Sequence, residues 1–201
     1  MAKIIAELCQ NHNGDFNILK DMVYAAKEAG ATYGKIQTIF SDELTFRDRF
    51  EEGKVENGIV KSIKRPYEPE FTRLKKLDLS YDQQAEFINL CEKAGLKPLT
   101  TAFTMESIQK LKNIGFKDIK VASYDCCSLP FLKELKKYFN RLIVSTGATF
   151  DSEIEEASEV LHGHNFSFLH CVTIYPTPLN KMNLNRMEYL KEFTPSVGLS
   201  E

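Results

Sequence analysis

Short apolar runs alternate with amphipathic stretches along the chain, and the alternation repeats. Residues 3–8 read as a strand, followed by the polar loop Cys9-Gln10-Asn11-His12-Asn13-Gly14. Asp15 can cap the next helix, whose apolar face is drawn through Ile18, Met22, Ala25, Ala26 and Ala29 and which Gly30 stops. A short second strand spans residues 33–38. A long polar insertion then runs over residues 40–79, broken by Gly53, Gly58 and Pro66, a length that in a compact domain marks function or mobility. Ser80 and Gln83 have capping-box spacing and open a helix that ends at Gly95. From there the rhythm tightens. Strands are expected at 97–101, 119–123, 141–145, 166–171 and 196–200. Between them lie a helix capped by Thr104 with Ile108 and Leu111 inward, one over 130–139, one with Phe150, Ile154, Ala157 and Leu161 inward, and an amphipathic segment over 185–193.

Seven strands alternating with helices predict a parallel α/β architecture. No GxGxxG loop follows any strand, which disfavours a dinucleotide-binding Rossmann domain. Nearly every strand ends in polar residues, as in a (β/α)8 TIM-type barrel. A closed barrel needs eight strands. The pattern supplies seven, so the expectation is one barrel domain over 1–201, truncated after its seventh strand.

The 201 residues, 43% of them hydrophobic, suffice for a full core. A net charge of −2 argues against nucleic acid or a membrane surface as partner, so any anion must be met by a local group of cations. No apolar run is long enough to span a bilayer, and the first residues lack a signal-peptide core; a cytoplasmic location is expected. The five cysteines (Cys9, Cys91, Cys126, Cys127 and Cys171) lack paired CxxC spacing, which disfavours a zinc cluster or disulfide framework and suggests small buried hydrophobes.

The most informative stretch is residues 118–130, where an apolar strand carries Lys120 and ends on Ser123 and Asp125. A desolvated ammonium needs an anionic partner. Two readings follow: a strand that holds Lys120 toward a bound anion, or an edge lysine reaching to solvent. Lys35 lies on the second strand and Lys120 on the fourth, and side chains of alternate barrel strands share a layer. Both could meet one ligand together with hydroxyls from Thr101, Ser123, Ser145 and Ser200, a set suited to a phosphate plus a carboxylate.

Several motifs, in order, resemble the N-acetylneuraminate (sialic acid) synthase family and the similar legionaminic and pseudaminic acid synthases. They are Ala6-Glu7 with Asn11-His12-Asn13-Gly14, Lys35-Ile36-Gln37-Thr38, Thr100-Thr101-Ala102-Phe103, Lys120-Val121-Ala122-Ser123, Ser145-Thr146-Gly147, His170-Cys171, Tyr175-Pro176-Thr177-Pro178 and Gly198-Leu199-Ser200. The resemblance implies condensation of phosphoenolpyruvate with the open-chain aldehyde of N-acetylmannosamine or a related amino sugar, releasing phosphate. It implies that Lys35, Thr101, Lys120, Ser123, Ser145 and Ser200 grip phosphoenolpyruvate. Glu7, Gln37, Asp125 and Tyr175 would face the sugar or the reacting centre. A divalent metal (Mn or Mg) would polarise the aldehyde, but the two histidines implied as its ligands would fall beyond Glu201. The resemblance further implies homodimers, with a C-terminal antifreeze-like domain absent from this stretch. The chain alone is therefore expected to be inactive.

The same residues have plainer readings. Glu7 could simply pair with a lysine, and Tyr175 could be a packed turn residue. Both His12 and His170 could be read as metal ligands; His12 is expected instead to shape its loop, while for His170 a metal ligand and a satisfied core histidine stand as equal readings. Three positions depart from the family pattern: Cys9 stands for glycine, Glu201 for aspartate and Thr173 for asparagine, and Thr173 bears on which sugar is taken. The alternatives are a non-catalytic fragment that binds phosphate or phosphoenolpyruvate, and a related enolpyruvate-condensing synthase for another aldose.

Overall fold

The computed structural model describes residues 2–201. Its strands are β1 (Ile5–Cys9), β2 (Tyr33–Gln37), β3 (Lys54–Glu56), β4 (Ile59–Ser62), β5 (Lys97–Thr101), β6 (Asp118–Val121), β7 (Arg141–Ser145), β8 (Phe166–Cys171) and β9 (Val197–Ser200). Its helices are α1 (Phe16–Glu28), α2 (Asp48–Glu51), α3 (Tyr67–Lys75), α4 (Tyr81–Ala94), α5 (Met105–Ile114), α6 (Leu129–Tyr138), α7 (Asp151–Leu161) and α8 (Arg186–Leu190). Seven strands form one parallel sheet in the order β1-β2-β5-β6-β7-β8-β9, curled into a half-barrel with helices outside. Because strand side chains alternate, the sheet has two apolar faces. Ile36, Ile119, Val121, Leu142, Val144 and Phe168 join the helices in the large core. Ile5, Tyr33, Leu99, Ile143 and Leu169 form a separate cluster inside the curl.

Local chemistry starts and stops the helices. Asp15 Oδ1 accepts from the Asn17 amide at 2.8 Å at the head of α1. Ser80 and Gln83 exchange bonds of 3.2 and 2.9 Å in the expected capping box of α4. Thr104 Oγ1 accepts from the Ser107 amide at 3.3 Å and opens α5.

Four expectations are corrected. Helix α1 buries Leu19, Val23 and Ala26 and leaves Ile18, Ala25 and Ala29 exposed. A stripe through leucine and valine buries more apolar surface than one through three alanines, so the helix sits about 100° from the expected face. Phe150 is 76% exposed rather than inward, because it is the residue before α7 and serves the helix through its backbone: its amide donates to Glu153 at 2.8 Å and its carbonyl accepts from the Ile154 amide at 3.1 Å. Ser123 lies past the end of β6, in a 3-10 turn over Ser123–Asp125. Among the cysteines, Cys91, Cys126 and Cys171 are buried, while Cys127 is exposed and Cys9 only half-buried.

The insertion over 40–79 has structure of its own: α2, the antiparallel hairpin β3–β4, and α3. It is tied to the loop after β1. Gly14, at φ +80°, packs so closely on it that an added Cβ would lie 2.1 Å from the Lys76 carbonyl oxygen. Glu70 on α3 accepts from Arg65, and from Arg73 Nε and Nη2 at 3.0 and 2.8 Å. Arg73 Nη1 in turn donates to Gln10 Oε1 at 3.3 Å. These hydrogen bonds, Arg73's foremost, hold the Glu70 carboxyl down at about 2.

Candidate functional site

The carboxyl ends of the parallel strands carry the polar side chains that a barrel presents to a ligand. Lys35, 1% exposed, points into the curl and its Nζ lies 2.5 Å from Glu7 Oε2 on the neighbouring strand. Lys120, on a central strand flanked by β5 and β7, donates to Ser145 Oγ at 2.8 Å. This position excludes the edge-lysine reading. Burial pushes the Lys120 ammonium down to about 8, with repulsion from Lys35 adding to it and Glu7 opposing. The two cations therefore share one desolvated space.

Around them the strand register completes a ring. Gln37 stands beside Thr101, and Thr101 beside Lys120. Ser200 stands beside Cys171. Ser123 Oγ accepts from the Gly147 amide at 3.1 Å. Gly147 is required by proximity: an added Cβ would stand 2.9 Å from Ser123 Oγ, 3.0 Å from Thr173 Cγ2 and 3.2 Å from Cys171 Cβ. Thr173 is thereby placed at the mouth. Tyr175, though 69% exposed, turns its hydroxyl to within 3.7 Å of Cys171 Sγ, and that contact foremost pushes its phenol up. Asp125 closes the turn after β6; burial raises its carboxyl to about 6, and its Oδ2 is buried without a partner. Among the described residues no hydrogen bond links Gln37, Asp125, Thr173 or Ser200 to either lysine.

Two residues of this mouth escaped the sequence reading. Cys171 is inward, and its parity with Leu169 on β8 carried that signal. Gly147 was legible only as part of a motif, since its three neighbours come from the turn after β6, from β8 and from the loop beyond β8.

The two histidines are otherwise engaged. His12 Nδ1 accepts from the Gly14 amide at 3.0 Å, as expected of a loop-shaping residue. His170, on the outer parity of β8, lies 2.7 Å through Nε2 from the Met182 carbonyl and so donates to it. Among the described residues no three His, Cys, Asp or Glu side chains are placed to hold a metal ion. The residues present do not fit a metal centre.

A curled parallel sheet with its charged and hydroxyl side chains gathered at the carboxyl ends of the strands defines a TIM-barrel-type α/β protein. The chain belongs to the NeuB family, which residues 22–201 match. It is 35% identical to the N,N'-diacetyllegionaminic acid synthase of Campylobacter jejuni, over 98% of this chain and 60% of that protein. It is 32% identical to the synthase of the same name from Legionella pneumophila, over 98% and 56%. Among solved structures, it superposes on N-acetylneuraminic acid (sialic acid) synthetase from Leptospira borgpetersenii with a TM-score of 0.81 at 28% identity, covering 98% of this chain and 64% of that one. The chain thus spans less than two thirds of the length of these relatives. Within the described residues no helix is long and apolar enough to cross a membrane.

Proposed function

We propose that this chain is the phosphoenolpyruvate-binding barrel of a sugar-acid synthase. In the reaction the methylene carbon of phosphoenolpyruvate bonds to the aldehyde carbon of N-acetylmannosamine or a related amino sugar, and the aldehyde oxygen takes a proton. Water adds at the neighbouring carbon, and loss of phosphate from that carbon leaves a ketone. The observation that carries this reading is the pair Lys35 and Lys120, two desolvated ammonium groups facing one space at the strand ends.

A ligand with a phosphate and a carboxylate relieves the repulsion between them, and each contact is charge-assisted. Ser145, already bonded to Lys120, Ser123 beside the Gly147 amide, Thr101 and Ser200 surround that space with hydroxyls. Glu7 orients Lys35. Gln37, Asp125 and Tyr175 belong to the sugar side, with Thr173 adjusting which acylated sugar is preferred. Asp125, its carboxyl raised by burial toward neutrality, suits proton transfer.

Calorimetric titration with phosphoenolpyruvate tests the reading. Lys120→Ala should cost about 1.5–3 kcal/mol of binding, the worth of one charge-assisted contact. Unchanged affinity in this variant would remove the assignment.

A further inference from the structure

Glu7, which orients Lys35, is itself held by donors on two sides. Its Oε2 lies 2.5 Å from Lys35 Nζ, and its Oε1 accepts from the Cys9 amide at 3.0 Å. The Glu7 side chain is 44% exposed, so burial alone does not fix it. Without the second donor, side-chain entropy would let the carboxylate turn between rotamers.

The Cys9 amide reaches back to Glu7 because the backbone turns there. Cys9 stands at φ +51°, and the pairing of β1 with β2 slips between Glu7 and Cys9. A bulge of this kind re-aims the side chain beside it. The left-handed conformation is costly for a residue with a side chain and persists only where its surroundings impose it. The loop that follows must therefore be held.

Helix α3 of the insertion holds it at two points. Arg73 Nη1 donates to Gln10 Oε1, one residue beyond Cys9, at 3.3 Å. Gly14, at the far end of the loop, packs on the Lys76 carbonyl just past α3. Between these anchors the loop is folded on itself: the Asn11, Asn13 and Asp15 amides donate to the Leu8, Gln10 and His12 carbonyls at 3.1, 3.0 and 2.8 Å. Arg73 is set in turn by Glu70, which accepts from its Nε and Nη2. An unbroken series of bonds thus runs from Glu70 through Arg73, Gln10, the Cys9 amide and Glu7 to Lys35.

We infer that Arg73 is a positioning residue for the anion site: through Gln10 and the Cys9 amide it fixes Glu7, and Glu7 fixes the Lys35 ammonium for an incoming phosphate or carboxylate. This rests on the reading of the mouth given under Proposed function. The insertion over 40–79 is then a brace for Lys35, acting through the loop after β1.

The test titrates the 201-residue chain with phosphoenolpyruvate in a double-mutant cycle. Arg73→Met and Gln10→Ala should each weaken binding about three- to tenfold, the worth of one hydrogen bond. In a Glu7→Ala background, Arg73→Met should have no further effect, because the route to Lys35 is already cut. The pH profile gives a second readout. Glu7 supports the Lys120 charge, so loosening it in Arg73→Met should move the fall in affinity, expected above about pH 8 in the parent, to lower pH. A residue that only stabilised the insertion would change neither the coupling nor the profile. The Arg73 side chain is 47% exposed, and Gln10→Ala leaves its pair with Glu70 intact, so both variants spare the core. Parent affinity in both variants, or a loss of equal size with and without the Glu7 side chain, overturns the inference and leaves the mouth standing. Absence of phosphoenolpyruvate binding by the parent chain overturns the mouth, and the inference with it.

Discussion

The inside of the curled sheet holds polar side chains at both ends, and the two ends treat them differently. At the floor, toward the start of the strands, Tyr33 Oη donates to Asp118 at 3.0 Å. Arg141 Nη2 donates to Ser167 and Ser196 at 2.5 and 3.0 Å, and the two serine hydroxyls lie 2.7 Å apart. Five side chains from five strands or strand edges thus form two neighbouring hydrogen-bonded groups, Tyr33 with Asp118 and Arg141 with the two serines, while Arg141 Nε is buried without a partner. At the mouth, beyond the plug of Leu99, Ile143 and Leu169, Lys35 has one carboxylate and Lys120 one hydroxyl. Buried polar groups that satisfy each other hold a fold together, whereas buried cations left under-partnered belong to a ligand.

Substitutions at the two ends should therefore separate stability from binding. The largest effect is expected at the floor. Arg141→Met leaves Asp118 without its neighbouring cation and removes the donor shared by two serines. It should cost about 3 kcal/mol in denaturant unfolding, with phosphoenolpyruvate affinity in the refolded protein unchanged. A variant that melts like the parent would mean the floor network is not structural.

A smaller effect follows from pH. Burial and Lys35 lower Lys120 from 10.5 to about 8 in the fold. Between those values the unfolded chain holds the proton and the folded chain does not, so unliganded protein gains stability as pH rises from about 8 toward 10.5. Phosphoenolpyruvate affinity moves the other way. It should fall as pH rises above about 8, approaching tenfold per unit, because binding must then reprotonate the lysine. Calorimetry at pH 7 and 9 reads this directly, and a flat profile would place Lys120 outside the ligand's reach.

The smallest effect concerns Gly147. An added Cβ would stand 2.9 Å from Ser123 Oγ and 3.0 Å from Thr173 Cγ2. Gly147→Ala should push Ser123 from its bond with the residue 147 amide and weaken phosphoenolpyruvate binding by about 1 kcal/mol. An unaltered titration would show that Ser123 takes no part.

These two ends were not equally legible. Lys35 and Lys120 stood out because a lysine in an apolar strand contradicts its surroundings, and Ser145, Ser200 and Thr101 followed as hydroxyls at strand ends. The floor was invisible. Asp118 and Arg141 begin their strands, where charged residues are ordinary, and only the register that pairs Asp118 with Arg141 and β8 with β9 brings them together. The strands of residues 141–145 and 166–171 could be read to the residue because apolar runs bounded by turns leave little choice. The face of α1 could not, since Ile18 and Leu19 both offer an apolar stripe and the sheet behind them decides. Nor could the stacking of Phe103 on Tyr124, which joins two loops far apart in the chain.

The central claim is that Lys120 is held for a ligand at the expense of the fold. It is tested most directly by measuring unfolding free energy and phosphoenolpyruvate affinity on the same preparation of Lys120→Met at pH 7. Replacing a desolvated charge by an apolar side chain of similar length is commonly neutral or stabilising. The expected result is stability equal to or above the parent, with affinity reduced by about tenfold or more. A variant that binds phosphoenolpyruvate as the parent does and unfolds more easily would show Lys120 to be part of the scaffold, and would contradict the account.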